Sequence, residues 1–171
     1  MKIIVTGLRG FPNIQGGVET HCEKLYPRLS KLGVNVTVVR RSCFVKENPP
    51  LTSYQGVFFK DLPAPKIKGF ESAIHTICGV WYAYKQKADI VHIHAIGPSI
   101  AIPFAKLLGL KVVVTHHGPD YDRKNWNFFA KFIFIIISFS PHVMYIYSLF
   151  LIITASVSYT HLRAHETRRH L

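Results

Sequence analysis

The residues best equipped for chemistry begin in the loop Gly7-Leu-Arg-Gly-Phe-Pro-Asn-Ile-Gln-Gly-Gly-Val-Glu19, between a short apolar strand and an amphipathic helix. A glycine pair at a helix start leaves backbone N–H groups accessible. Those donors have no intrahelical partner and the helix dipole adds positive character, so Gly16-Gly17 could seat an anion such as a diphosphate. The same pair also suits a simple tight turn. The spacing GxGxxG is absent, and the second strand ends in Arg40-Arg41 where a ribose-binding Asp or Glu would stand, which argues against an NAD site of that kind.

His92 and His94 stand two apart in the strand Asp89-Ile-Val-His-Ile-His94, so their side chains face one side near its carboxyl end. They could form half a metal site, line a cleft or sit hydrogen-bonded in the core; a metal would need further ligands. Thr115-His116-His117-Gly118 follows the last clear strand at the same edge. Beyond it Asp120, Tyr121, Asp122, Arg123 and Trp126 suit sugar hydroxyls, or equally a solvated turn and helix cap.

These residues need a framework to hold them. Lys2–Thr6 is an apolar, β-branched run closed by Gly7, which reads as a buried central strand. From Gly17 to Leu32, Val18, Cys22, Leu25, Leu29 and Leu32 recur at helical spacing, with Gly33 as the stop and Pro27 predicting a kink near Glu23. Val34–Val39 and Gln55–Lys60 read as strands. Phe70, Ala73, Ile74, Ile77, Cys78, Trp81 and Tyr84 share one helical face ahead of the histidine strand. Ile100–Leu108 reads as a helix capped by Gly109, and Lys111–Thr115 as a strand. Alternation of this kind predicts an α/β fold with a doubly wound parallel sheet, whose ligands bind beyond the carboxyl ends of the strands.

The 171 residues allow one domain with a substantial core, and 49% hydrophobic with 18% charged residues argues against wholesale disorder. The net charge of +12 favours a phosphate-bearing partner or an anionic membrane face, or serves solubility alone. Nucleic acid is not expected, because the basic residues form no run interleaved with aromatics. Three cysteines, Cys22, Cys43 and Cys78, show no CxxC spacing, so no disulfide framework or zinc knuckle is indicated and a reducing cytosol fits best. No signal peptide is read at Met1.

The end of the chain follows another pattern. Phe132–Ala155 contains no Lys, Arg, Asp or Glu and is long enough to span a bilayer if helical, although Pro141-His142 interrupts it. Ser156–Leu171 has no apolar period, and Val157–Thr167 resembles translated sequencing-adapter read-through. The expected organisation is a domain over 1–131, an apolar segment over 132–155 that is either non-native or a membrane helix, and a non-native tail over 156–171.

The segments TGLRGFPNIQGGVET, the helix around Leu25-Tyr-Pro-Arg-Leu29, DIVHIHAIGPS and VVVTHHGPDYDRKNW, taken in order, resemble the N-terminal domain of family 4 glycosyltransferases with the GT-B fold, particularly bacterial rhamnosyltransferase-like ones. The resemblance covers about Met1 to Lys131. It implies a Rossmann-like domain that forms the acceptor side of a two-domain enzyme. Gly16 and Gly17 would face the donor diphosphate, Glu19 would be the loop's carboxylate, and His117 would contact the transferred sugar, with His116 the alternative. His92, His94 and Asp120 fall in the acceptor and sugar cleft. The resemblance further implies a retaining transfer without a metal or other cofactor, the nucleotide sugar being a substrate, and a glycan or lipid-linked acceptor. A cytoplasmic enzyme touching the inner face of the plasma membrane through Lys66, Lys68, Lys85 and Lys87 fits it. Because most donor contacts in that family belong to a C-terminal domain, this chain alone is expected to transfer no sugar. An NADP-dependent nucleotide-sugar oxidoreductase or epimerase is the alternative, although Tyr84 begins no Tyr-x-x-x-Lys pair; a membrane-anchored binding domain is another.

Overall fold

Lys2–Thr6 forms β1, as its β-branched composition predicts, and sits at the centre of the sheet. The elements that follow are α1 (Gly17–Lys31), β2 (Asn35–Arg41), β3 (Ser53–Tyr54), β4 (Val57–Leu62), α2 (Glu71–Lys85), β5 (Ile90–His94), α3 (Ile102–Leu107) and β6 (Lys111–Thr115). The structure, a computed structural model, describes residues 1–65, 71–95, 97–115 and 117. The segments 132–155 and 156–171, together with His116, Asp120, Lys66 and Lys68, lie outside the described residues.

Among the described residues the sheet has six strands in the order β3-β4-β2-β1-β5-β6, parallel throughout except for β3 against β4. The chain winds outward from β1 through β2 to β4, then lays β5 and β6 on the other side of β1. This is the expected α/β doubly wound, Rossmann-like fold. It puts the topological switch, and the crevice that goes with it, at the carboxyl ends of β1 and β5.

The period of two along the strands divides the core between two faces. Ile3, Val5, Val36 and Val38 pack with Cys22 and Tyr26 of α1, together with Leu8 and Phe11. Ile4, Val39, Val91 and Ile93 pack instead with Val80 and Ala83 of α2 and with Ala101 and Ala105. Each such aliphatic side chain contributes roughly 1.5–3 kcal/mol by leaving water. α1 runs through Pro27 as one helix and closes at Gly33 (φ 82), where Gly33 N donates to Ser30 O and Val34 N to Leu29 O.

Two local expectations need correction. The apolar stripe of α2 faces outward: Ile77, Trp81 and Tyr84 are 41%, 46% and 44% exposed, while His75, Thr76, Gly79, Val80 and Ala83 are buried. Small residues win that face because the helix lies tight against β1; a Cβ on Gly79 would fall 2.5 Å from Thr6 Oγ1. The strand expected from Gln55 begins at Val57, because Gln55 (φ 47) and Gly56 (φ 83) form the turn of a hairpin that adds β3.

Arg40-Arg41 proves to be architecture. The Arg40 side chain is fully buried, donating to Asp61 Oδ1 at 2.7 Å and Oδ2 at 2.9 Å and to Leu51 O at 3.1 Å, with its guanidinium 4.2 Å from the Phe59 ring centre. Arg41 pairs with Glu71 at 3.3 Å. Burial lowers its pKa, and the neighbouring Glu71 works against that shift.

Candidate functional site

Gly7, directly after β1, has φ +94, and a Cβ there would overlap the His94 carbonyl oxygen and lie 3.0 Å from its nitrogen. Only glycine lets the β1–α1 loop pass over the end of β5 so closely. The loop is pinned further along: Arg41 N donates to Arg9 O at 2.9 Å, and Arg9 Nη1 donates to Gln15 O at 3.2 Å.

The loop delivers Gly16 to the N-cap of α1, where no side chain caps the helix. Thr20 N donates to Gly16 O at 2.9 Å, so the amides of Gly17, Val18 and Glu19 precede the first intrahelical bond. A Cβ on Gly17 would meet nothing within 4 Å, so this residue borders open space. A Cβ on Gly16 would strike the Glu19 carboxylate. Glu19, only 5% exposed, accepts the Arg9 N–H at 3.2 Å and thereby ties the loop to the first turn.

Alternation along β5 sends Val91 and Ile93 into the α2 side of the core and turns His92 and His94 toward α1. The Tyr26 hydroxyl, reaching in from α1, bonds both His92 Nδ1 at 2.9 Å and His94 Nε2. His92 Nε2 meets Thr115 Oγ1 at 2.7 Å, and His94 Nδ1 meets His117 Nε2 at 2.8 Å. The rings of His92 and His94 stack at 4.3 Å, and that of His117 lies 5.1 Å from His94. On the rim, the exposed His21 ring stands edge-on to His117 at 5.1 Å.

Desolvation keeps the inner imidazoles neutral. Burial pulls His92 down to about 4 and His94 to about 2, with repulsion among the clustered histidines adding to it. Burial likewise pushes the Tyr26 hydroxyl well above its ordinary value. Among the described residues no group of three or more His, Cys, Asp or Glu could hold a metal ion.

Beside the glycine loop lies a cleft of about 730 Å³ whose lining includes Arg9, Asn13, Gln15, Glu23, Phe44 and Lys46. Amides, paired charges and one aromatic ring form a surface suited to polyhydroxylated ligands.

Of the residues singled out in the sequence, the structure joins His92, His94 and His117 in one network and puts Gly16, Gly17 and Glu19 in the adjoining helix start. Thr115, named only as the start of the Thr115–Gly118 motif, joins them, and Tyr26 and His21 complete the cluster without having been given a role. Tyr26 carried a faint signal: it lies one turn beyond Cys22 and so shares its inward face.

No curated protein matches the chain. The family profile described as Glycosyltransferase Family 4 matches residues 15–147, starting at the glycine pair and passing through β1's neighbours to the residues beyond His117. That span takes in most of the sequence, and with a mostly parallel Rossmann-like sheet beneath it, the chain belongs to glycosyltransferase family 4.

Proposed function

We propose that this domain serves the transfer of a sugar from a nucleotide-sugar donor to a glycan or lipid-linked acceptor of the bacterial envelope, with retention of configuration, as in rhamnosyltransferase-like relatives. One observation carries the reading. His21 lies one turn after Gly17, on the same side of α1, and its ring stands 5.1 Å from that of His117. The open helix start and the histidine network therefore border one crevice.

In this reading the bare amides at Gly16 and Gly17 meet the diphosphate, where negative charge grows as the glycosidic bond breaks. His117 contacts the transferred sugar. His92 and His94 support it from below and Glu19 holds the loop; His116 and Asp120, outside the described residues, enter the reading through the family resemblance alone. The cleft lined by Arg9, Asn13, Phe44 and Lys46 takes the acceptor. The donor is a substrate, and the proposal invokes no cofactor. The family match does not favour the oxidoreductase alternative.

Gly17→Ala tests the reading, since the added Cβ has no neighbour within 4 Å. Wild-type chain should gain thermal protection from nucleoside diphosphates and nucleotide sugars. The variant should keep the unliganded melting temperature and bind them about tenfold more weakly, a change of about 1.4 kcal/mol. Equal binding by both proteins, or protection by NADP alone, would refute it.

A second partner is favoured by the outward face of α2. Ile77, Trp81 and Tyr84 are exposed there, Lys85 Nζ lies 5.3 Å from the Trp81 ring centre, and Trp81 stacks on Phe104 at 6.4 Å. Together with Lys87 they make an aromatic and basic face matched to an anionic bilayer surface. Among the described residues no helix is long and apolar enough to cross a membrane, so this reading concerns surface docking. The chain should sediment with anionic liposomes at low salt and be released at high salt. Trp81→Ala with Lys85→Ala should abolish that, and equal sedimentation with neutral liposomes would exclude an electrostatic role.

A further inference from the structure

Glu47 is a carboxylate in surplus where it stands. Behind it the Arg40 guanidinium is fully buried and already meets both oxygens of Asp61, at 2.7 and 2.9 Å, and two backbone carbonyls, Leu51 O at 3.1 Å and Phe11 O at 3.4 Å. Glu47 Oε1 stands 3.6 Å from Arg40 Nη1, an ion pair without a hydrogen bond. Both carboxylates face one cation, and Asp61 holds the better geometry. Glu47 Oε2 is buried and has no hydrogen-bond partner among the described residues.

A carboxylate oxygen shut away from water with no donor carries an uncompensated cost of desolvation. The anchoring of Arg40 does not require it, because Asp61 supplies the bidentate partner. Glu47 lines the cleft of about 730 Å³ with its side chain 22% exposed. Rotation about the last torsion of a glutamate, which is broad, turns either oxygen toward that space. A hydrogen-bond donor bound in the cleft would complete the group.

The other lining residues decide what kind of donor fits. Arg9 and Lys46 repel an ammonium group, and Glu23 with Glu47 repels a phosphate or a carboxylate. The lining charges balance, so an ion of either sign gains no net attraction. Glu23 already accepts the Tyr54 hydroxyl at 3.3 Å, whereas Glu47 accepts no hydrogen bond among the described residues. Asn13 and Gln15 are exposed and carry amides that both donate and accept, which suits hydroxyl groups better than ions.

We propose that Glu47 is the specificity-determining residue of this cleft: its carboxylate accepts a hydroxyl of an uncharged sugar, and sugars bearing an acid, a phosphate or an amine are rejected. That this sugar is the receiving end of the acceptor rests on the transfer reading given above. Arg40 then acts as the post that keeps the carboxylate in the cleft wall, and selection depends on hydroxyl geometry because the charges cancel.

The test is NMR of the 15N-labelled full chain at neutral pH, titrated with the methyl glycosides of glucose, galactose, rhamnose and N-acetylglucosamine. Glucosamine, glucuronic acid and glucose 6-phosphate are titrated in parallel. A neutral glycoside is expected to move the Asn13 and Gln15 side-chain amides saturably, and the charged sugars to bind about tenfold more weakly. Glu47→Gln keeps the size of the side chain and leaves Asp61 on Arg40. It should weaken the neutral sugar about tenfold, the loss of one hydrogen bond to a charged group, and Glu23→Gln should weaken it less. Tighter binding of any charged sugar overturns the proposal, as does unchanged affinity in Glu47→Gln or the absence of shifts with every sugar. Should Glu47→Gln not fold, the wild-type ranking of neutral against charged sugars decides alone. Neutral sugar in the cleft of a chain that nucleoside diphosphates do not protect would count against the transfer reading and leave Glu47 assigned. Protection by diphosphates with no sugar-induced shift would overturn the assignment and leave transfer standing.

Discussion

Acidification from pH 6.5 to 4 is expected to remove most of the folding stability of this domain. His75 and His92 are each held down to about 4 and His94 to about 2, with burial the leading cause in all three cases. The unfolded chain takes up these protons near pH 6.5, while the folded chain does not. Unfolded protein therefore binds more protons throughout the window, stability is complete above it, and it falls as the pH drops. At about 1.4 kcal/mol per unit, each histidine contributes a loss of about 3 kcal/mol by pH 4, against a typical total of 5–15 kcal/mol. His75 is poorly placed to resist: its Nε2 bonds Arg40 O at 3.2 Å, Nδ1 has no hydrogen-bond partner among the described residues, and the Arg41 charge opposes protonation. Urea unfolding at pH 7, 5.5 and 4 measures the slope. Added salt separates this effect from repulsion among the +12 net charge, because salt screens surface charges and leaves buried imidazoles unaffected. A midpoint that stays flat across the range, or recovers fully in salt, would show that the histidines do not carry it.

Gly7→Ala should be the most damaging single methyl in the described fold. Two terms combine. At φ +94 an L side chain is strained by roughly 1–3 kcal/mol, and the new Cβ overlaps the His94 carbonyl, adding an overpacking term of about 1–3 kcal/mol. Gly33→Ala supplies the comparison, since its φ of +82 is similar and nothing lies within 4 Å of its Cβ. Thermal unfolding should show a small loss for Gly33→Ala and one at least twice as large for Gly7→Ala. Because the overlap falls on the backbone of His94, the first methyl should also disturb the histidine network. Equal losses in the two variants would mean that the loop simply moves aside.

Local chemistry made β1 and β6 legible, because a β-branched run closed by a glycine or a turn has few other fates. The shared side of His92 and His94 was legible for the same reason, period two being a property of any strand. What they bond was not. Tyr26 lies 66 and 68 positions away in sequence, and only the packing of α1 onto β5 brings its hydroxyl between the rings. The face of α2 misled because apolarity is a poor guide where two backbones must come close: Gly79 and Ala83 were chosen for size, and the larger apolar residues were left outside. Arg40 is a similar case. Its place at the end of β2 suggested only the lack of a ribose-binding acid, whereas Asp61 on the neighbouring strand, paired in register with it, makes it a buried anchor.

The alternation of β5 has a consequence for how such a domain can change over time. Val91 and Ile93 answer to the packing of α2 and α3, while His92 and His94 answer to Tyr26, Thr115 and His117 on the opposite side of the same four residues. The two sides share a backbone but no side-chain partners. Substitutions that retune the crevice can therefore accumulate without repacking the helices behind it, and drift in the helices can proceed without disturbing the crevice. One short strand thus separates the side chains that hold the helices from those that shape the crevice.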